Sequence, residues 1–357
     1  MRGLPAFLEG RGWDVTVVAG GPGEGQPVHV LPMVRRPAPL ADLTALARWV
    51  RLIRRSRPAV VVAGTPKAGL LGMVAARLSG VERRVYLLRG LRLETARGPL
   101  RWLLVAMERL AAWCATEVVC VSPSLRDAFV GLRLGDPRKA LVLGAGSSNG
   151  VDTERFRPAT SAERQASRAH LGIDQSVSVV GFIGRLTPDK GLDTLVAAAG
   201  LARREVDFHL LLIGREEEAG YRDRLAEHLA EAGVEHSFVD EMPDIERGYA
   251  AMDVFCLPSR REGFPNVSLE AAACQLPVIS TDATGSRDAV RSGVSGLLVP
   301  MDDPPVLAQA ITRALADPAG SRAMGAAGRA WMLEEFDRPL VWARLDDFLV
   351  RGRQTAQ

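Results

Sequence analysis

At 357 residues the chain is long enough for about two domains of ordinary size, and its 47% hydrophobic and 24% charged content is that of a folded globular protein, not a disordered or fibrous one. No run of about 18 uncharged apolar residues exists, which argues against a spanning helix, and no secretory leader is visible at the start. The net charge of +3 hides an asymmetry: residues 1–155 carry 23 Lys+Arg against 12 Asp+Glu, and residues 156–357 carry 22 against 30, so the two halves face different partners.

The elements follow a repeating pattern of apolar strand, Gly-rich or polar loop, and amphipathic helix. Leu4 to Glu9 reads as a helix, followed by strands at Asp14–Val18 and Val28–Leu31. A helix over Leu40–Arg55 leads to a strand at Ala59–Ala63, then a helix over Ala68–Leu78 and a strand at Arg84–Leu88. The most apolar stretch, Pro99 to Thr116, is interrupted by Arg101, Glu108 and Arg109 and reads as a buried helix. Strands at Val118–Val121 and Ala140–Leu143 complete the first half. The second half has strands at Val177–Ile183, Phe208–Ile213, Ser237–Asp240, Val254–Leu257, Pro277–Ser280 and Gly296–Val299. Short continuous runs of Val, Ile and Leu are what parallel strands buried on both faces require. The pattern predicts an α/β protein with two doubly wound, Rossmann-like parallel-sheet domains.

The segment from Gly144 to Pro158 is rich in Gly and Ser and suits a linker. We therefore expect a domain over 1–156 and a second over 157–339, with a terminal helix at 340–357 returning to pack on the first. Such sheets bind ligands at the C-terminal ends of their strands. A doubly wound domain begins with a strand and a Gly-rich turn, yet here a helix comes first, so the first domain is expected to lack its first strand. Loss of a central strand leaves backbone groups in search of partners. The four cysteines, Cys114, Cys120, Cys256 and Cys274, lack metal-binding spacing and read as reduced thiols of a cytoplasmic protein.

Two segments carry chemistry. The first runs from Gly181 through Gly184 and Arg185 to Lys190 and Gly191, between a strong strand and a helix beginning near Leu192. Its glycines let backbone approach a ligand, and its two cations sit near a helix N-terminus, where a diphosphate can be held. Two ordinary surface charges are the alternative. The second segment contains Glu262, Gly263, Phe264, Pro265, Asn266, Val267 and Glu270. Asn266 is expected as the N-cap of a helix over Val267–Cys274, leaving backbone N–H groups at 263–267 free for an anion or for hydroxyls. Ionised carboxylates at 262 and 270 suit hydroxyl donors of a sugar or ribose; a capping Glu and a surface Glu are the alternative.

Together the two segments resemble the retaining glycosyltransferases of the GT-B fold, glycosyltransferase family 4-like. The resemblance covers nearly the whole chain through NGVDTERF at 149–156, GRLTPDKG at 184–191, LPSRREGFPNVSLEAAACQLPVIST at 257–281 and GSRDAVRSGVSGLLVP at 285–300. It implies that Glu270 binds the ribose, that Glu262 lies by the sugar, and that the loop amides hold the sugar and diphosphate. Arg185 and Lys190 then stabilise the leaving diphosphate. The stretches YLLRGLRLET at 86–95 and GAGSSNGVD at 144–152 are similar to enzymes that build bacterial polysaccharides and lipid-linked oligosaccharides. Where many relatives carry a histidine before a glycine, this chain has Arg89-Gly90, so no histidine-dependent step is expected. Arg89 either holds an anionic acceptor or donor phosphate, or pairs with Glu94.

The resemblance implies sugar transfer with retention and without a metal, from a nucleotide-sugar co-substrate, a UDP-sugar, to an acceptor hydroxyl. No Asp-x-Asp motif or His/Asp cluster suited to Mg²⁺ or Mn²⁺ is found, so leaving-group charge falls to Arg185, Lys190 and helix amides. The basic half suits an acceptor at a membrane, such as an undecaprenyl-diphosphate-linked sugar. Arg48, Arg51, Arg54, Arg55 and Arg57 beside Trp49 and Ile53 read either as a face for anionic lipid, which would make the enzyme cytoplasmic and peripheral on the plasma membrane, or as a solvated helix face over a packed stripe. Lys67 could bind an acceptor diphosphate or be an ordinary surface lysine. A soluble natural-product acceptor and a truncated, non-catalytic nucleotide-sugar-binding chain are the alternatives. Nucleic acid is not expected, since no aromatic platform accompanies the basic charge.

Overall fold

The computed structural model describes residues 3–21, 28–31, 33, 38–64 and 66–354. The chain divides into two compact units, Met1–Asn149 with Val341–Gln357, and Gly150–Leu340. The division falls inside the Gly/Ser-rich segment, at 149/150.

In the first unit, α1 (Leu4–Glu9) precedes a two-stranded parallel pair, β1 (Val18–Ala19) and β2 (His29–Val30). Then come α2 (Pro39–Ser56), β3 (Val60–Ala63), α3 (Pro66–Leu78), β4 (Arg83–Leu88), α4 (Gly98–Cys114), β5 (Glu117–Cys120), α5 (Pro123–Gly131) and β6 (Ala140–Leu141). The strands β3-β4-β5-β6 form one parallel sheet in that order. Val85, Tyr86, Leu87 and Leu88 of β4 and Val118 to Cys120 of β5 are buried, forming the centre of this core. Pro66 in the first turn starts α3 without loss of a ladder bond. Among the described residues β3 and β6 are the edge strands of this sheet, and Val62 of β3 is 38% exposed. β1 and β2 pair with each other and not with this sheet. The expected strand at Asp14–Val18 is thus confined to Val18–Ala19, with 13–17 non-regular.

Two expectations for this unit are corrected. Trp49 and Ile53 on α2 are buried against α3, so the apolar stripe expected to meet lipid is core. Conversely α4, expected to be buried, exposes Trp102 and Trp113. Its interior contact includes the acid Glu108, whose Oε2 accepts a 2.7 Å hydrogen bond from the Tyr86 hydroxyl. Burial raises the Glu108 carboxyl above its ordinary pKa.

The second unit contains α6 (Ser161–His170), β7 (Ser178–Ile183), α7 (Leu192–Ala202), β8 (Phe208–Ile213), α8 (Tyr221–Glu231), β9 (Glu235–Val239), α9 (Ile245–Ala251), β10 (Val254–Leu257), α10 (Asn266–Ala273), β11 (Val278–Thr281), β12 (Gly296–Val299), α11 (Pro304–Ala316) and α12 (Pro318–Trp331). Its six-stranded parallel sheet runs β12-β11-β10-β7-β8-β9. β7 and β10, adjacent in space though distant in sequence, make the topological switch beside which ligands bind in this architecture. Every residue of β10 and β11 is buried, so continuous apolar sequence was the right signal. Arg168 of α6 is buried and donates to the Ala251, Gln175 and Val177 carbonyls and to Asp253 Oδ2.

The last helix, α13 (Arg338–Gln354), supplies the C-terminal part of the first unit. Trp13 Nε1 donates to Asp346 Oδ1 at 2.7 Å, Phe7 packs on Trp342, and Arg83 donates to the Phe348 and Leu349 carbonyls. Residues 355–357 of the expected terminal helix lie outside the described residues. No helix among the described residues is long and apolar enough to cross a membrane.

Candidate functional site

The second unit brings its two chemical loops together at the C-terminal ends of β7 and β10. After β7, Gly184 is followed by Arg185, a 3-10 turn at Pro188–Lys190, and Gly191. Gly191 has φ 70°, and a Cβ there would lie 2.0 Å from the Pro258 carbonyl oxygen, so only glycine fits where the loops touch. After β10, Arg260 N–H donates to the Asp189 carbonyl, and the Arg260 guanidinium reaches the Pro188 carbonyl at 2.8 Å and Asp302 Oδ1 at 2.7 Å. Arg261 donates to Asp189 Oδ2 at 3.0 Å. The Asp189 carboxyl sits below its ordinary pKa: its burial opposes ionisation, but the Thr187 hydroxyl and the Arg261 charge outweigh that effect.

At the centre of this seam Lys190 Nζ donates to Glu262 Oε1 at 2.6 Å, with the two side chains only 16% and 14% exposed. Ser259 Oγ donates to the same oxygen at 2.8 Å. Arg185 is further out: its guanidinium pairs with Glu217 Oε2 at 2.5 Å, both groups largely exposed. That pair raises the Arg185 pKa, with added attraction from Asp189 and Glu262. Each predicted cation therefore already has an acid partner.

The helix expected at Val267–Cys274 is α10, and the cap expectation is corrected. Pro265, not Asn266, occupies the N-cap position and offers no side-chain hydrogen bond; Asn266 is the first helical residue. Pro265 has ψ 105°, outside the helical range, so the helix starts at the residue after it. With no cap side chain, the first-turn amides at Asn266 and Val267 keep their donors for another acceptor. Phe264 packs on Phe336 at 5.3 Å between ring centroids, which anchors the loop. Glu262 N–H donates to the Thr284 carbonyl. Gly285, at φ 75°, allows Gly263 to approach so closely that a Cβ would meet the Gly263 oxygen at 2.3 Å.

Glu270 is not in the Lys190 cluster. Its partner is Tyr249, whose hydroxyl donates to Glu270 Oε2 at 2.9 Å. Burial pushes its carboxyl up to about 7, against the lowering effects of the Tyr249 bond and the Arg155 and Arg338 charges. Glu262 and Glu270 thus occupy two environments, one neutralised by an ammonium and one in an apolar setting with a phenol. In the first unit, Lys67 Nζ is held by Asp42 Oδ1 at 2.7 Å. Arg89, exposed at the end of β4, reaches Asn149 Oδ1 at 3.4 Å, where sequence had offered Glu94. Gly90 after it has φ 140°.

Sequence reasoning did not single out Asp189, Ser259, Arg260, Arg261, Glu217 or Tyr249. Four of these, Asp189, Ser259, Arg260 and Arg261, lie within or beside the two motifs, and the Arg-Arg-Glu run at 260–262 was the signal for loop stitching. Tyr249 comes from α9 and is fully buried, so it looks like core. A polar depression lined by Arg215, Glu216, Arg222, Asp240 and Glu241 lies after β8 and β9; no motif marked it.

Two Rossmann-like units, one with cationic and carboxylate loops converging at its topological switch, define a glycosyltransferase of the GT-B fold. The fold matches Anabaena Alr3699/HepE in complex with UDP, with TM-score 0.77, 24% identity, and coverage of 91% of this chain and 86% of that one. It also matches a sucrose-phosphate synthase from Thermosynechococcus elongatus, with TM-score 0.83, 23% identity and coverage of 100% and 93%. The family described as glycosyl transferase 4-like domain matches residues 2–146, and glycosyl transferases group 1 matches residues 177–317. The capsular polysaccharide biosynthesis glycosyltransferase CapM of Staphylococcus aureus is 33% identical over 352 residues, 97% of this chain and 92% of that protein. An Escherichia coli UDP-Gal:alpha-D-GlcNAc-diphosphoundecaprenol alpha-1,3-galactosyltransferase is 28% identical over 285 residues, 78% of this chain and 72% of that protein. The chain belongs to this family of bacterial glycosyltransferases.

Proposed function

We propose that the chain moves a sugar, with retention of configuration and without a metal, from a UDP-sugar to a hydroxyl of a lipid-linked polysaccharide precursor. The observation that carries this reading is the seam joining the loop after β7 to the loop after β10, with Lys190 and Glu262 in direct contact. A pyrophosphate placed over it would meet Lys190, Arg185 and the uncapped amides of α10, three sources of positive potential fixed before the substrate arrives. Glu262, already bonded to Lys190 and Ser259, can accept from a sugar hydroxyl without repelling the phosphates as a free carboxylate would. Glu270, bonded to Tyr249, is suited to a ribose diol. As the diphosphate leaves, the cations take up its growing charge, and the acceptor hydroxyl attacks on the same face while its proton passes to a phosphate oxygen.

The nucleotide and acceptor draw on the relatives. The E. coli relative is named for UDP-Gal and a diphosphoundecaprenol acceptor, and the Anabaena neighbour was solved with UDP and glucose at 25% identity. In this chain Arg89, just after β4, and Lys67, in the first turn of α3, would serve an anionic acceptor, Lys67 by releasing Asp42.

The test is calorimetric titration with UDP, GDP, ADP and dTDP, followed by incubation of the preferred nucleotide sugars with a polyprenyl-diphosphate-sugar. Submicromolar to micromolar UDP binding and an α-linked product by NMR from an α-linked donor are expected. Inversion of the anomeric carbon, or preference for another base, would overturn the corresponding part.

A further inference from the structure

We infer that the outer face of α4 is the surface by which the protein sits on anionic lipid. On α4 the residues Trp102, Ala106, Arg109 and Trp113 follow each other at i, i+4, i+7 and i+11, which places them in one row along the helix. Leu103 and Leu110, seven residues apart, form a parallel row beside it. Trp102 is 71% exposed and Trp113 is 60% exposed, with Leu100, Leu103 and Leu110 also open to solvent. From Trp102 to Trp113 the row extends about 16 Å at helical rise. An exposed apolar strip of this length, bearing two indoles, calls for an occupant.

Charge decides which occupant. The acid of α4, Glu108, is turned inward onto Tyr86, while Arg109 lies in the exposed row with its Nε on the Arg133 carbonyl. Arg97 precedes the helix and is exposed. The neighbouring α3 has no acid in its sequence; its Arg77 stacks 3.9 Å from the Trp113 ring centroid, and its Leu78 is 58% exposed. Solvent therefore meets tryptophan, leucine and arginine here, without an exposed carboxylate on either helix. Indole and leucine seat at the headgroup boundary, and guanidinium meets lipid phosphate. A self-complementary dimer would instead need acid to answer these arginines on the same surface.

This surface deepens the membrane-bound acceptor reading above but is argued independently of the donor loops, so UDP affinity measured without vesicles separates failure of one from failure of the other. The decisive experiment uses the full chain and vesicles of phosphatidylcholine with or without 30% phosphatidylglycerol, on the order of the anionic content of a bacterial inner leaflet. The wild type should sediment with the anionic vesicles, lose that binding as salt rises toward about 0.5 M, and show tryptophan quenching by brominated acyl chains. The triple variant W102A/L103A/W113A should bind at least tenfold more weakly with UDP affinity unchanged. Because these side chains are exposed, its melting temperature should stay near that of the wild type. If that variant does not fold, the quenching of the wild type decides alone. Absence of wild-type sedimentation or quenching overturns the proposal, as does equal binding by a folded variant. A concentration-dependent dimer abolished by the variant, with no vesicle binding, assigns the face to a second copy instead.

Discussion

Lys190 and Glu262 stand 72 residues apart in sequence and 2.6 Å apart in space. The pair has two consequences for the proposed diphosphate site. It keeps a carboxylate tolerable beside phosphate, and it holds an ammonium in place before the substrate binds. Removing either member leaves the other largely buried without its countercharge, which is more damaging than losing an exposed pair.

The two members should therefore separate in measurement. Lys190→Ala should lower turnover roughly 10²-fold or more, comparable with loss of a preorganised oxyanion donor, and weaken UDP. Glu262→Gln should leave UDP binding equal or tighter, because an unneutralised Lys190 then faces the phosphates, while turnover of the sugar donor falls. Steady-state kinetics beside UDP calorimetry checks this. Parallel loss of UDP affinity in both variants would contradict the assignment.

Glu270 should make the protein and its ligand affinity respond to pH. Its folded pKa, about 7, lies above the ordinary 4.5, so between those values the folded state holds more protons than the unfolded one. Stability contributed by protonated Glu270 is fully present below about pH 4.5 and is lost as pH rises through 7, by about 3 kcal/mol at most. Glu270→Gln should melt higher than wild type at pH 8 and no higher at pH 4.5. A ribose diol prefers the ionised form as acceptor, so wild-type UDP affinity should rise from pH 6 to 8, and the variant should bind weakly and without that slope.

Gly285→Ala should disrupt the donor loop while sparing the fold. A methyl group there would sit 2.3 Å from the Gly263 oxygen on a backbone at φ 75°. The Glu262–Gly263 backbone must shift, and a displacement near 1 Å at a positioned group can cost about 10²-fold in rate. Activity should fall by that order, with far-UV circular dichroism retained.

Arg168 tests the core of the second unit. With five acceptors around a buried guanidinium, Asp253→Ala removes its countercharge and also the acceptor for Val179 N–H. The expected loss is about 3–5 kcal/mol, read from denaturant unfolding. A loss below about 1 kcal/mol would show that the backbone carbonyls alone satisfy Arg168.

Much of the second unit was legible because its strands are buried on both faces. Phe208–Ile213, Val254–Leu257 and Gly296–Val299 read from sequence coincide with β8, β10 and β12. Helices of the first unit were less legible, since an apolar run does not say which side faces out. Glu108 and Arg109 both interrupt the apolar run of α4 in sequence, yet Glu108 is buried on Tyr86 whereas Arg109 beside it lies among exposed indoles. On α2 the reverse holds, with Trp49 inside under a rim of arginines. At the site, residue types within motifs identified Lys190 and Glu262, but their mutual bond depends on the spatial neighbourhood of β7 and β10, which sequence separation conceals. Tyr249 reaches Glu270 from α9, and nothing in its local sequence distinguishes it from packing.

Gly191 and Gly285 lock the loops of the candidate site main chain against main chain, with no side chain between them that could be exchanged. Evolution of a new substrate preference in this scaffold must then work around a rigid frame, altering what projects from its rim and leaving the frame itself untouched. Libraries aimed at changing the transferred sugar should accordingly randomise the projecting positions and hold both glycines constant.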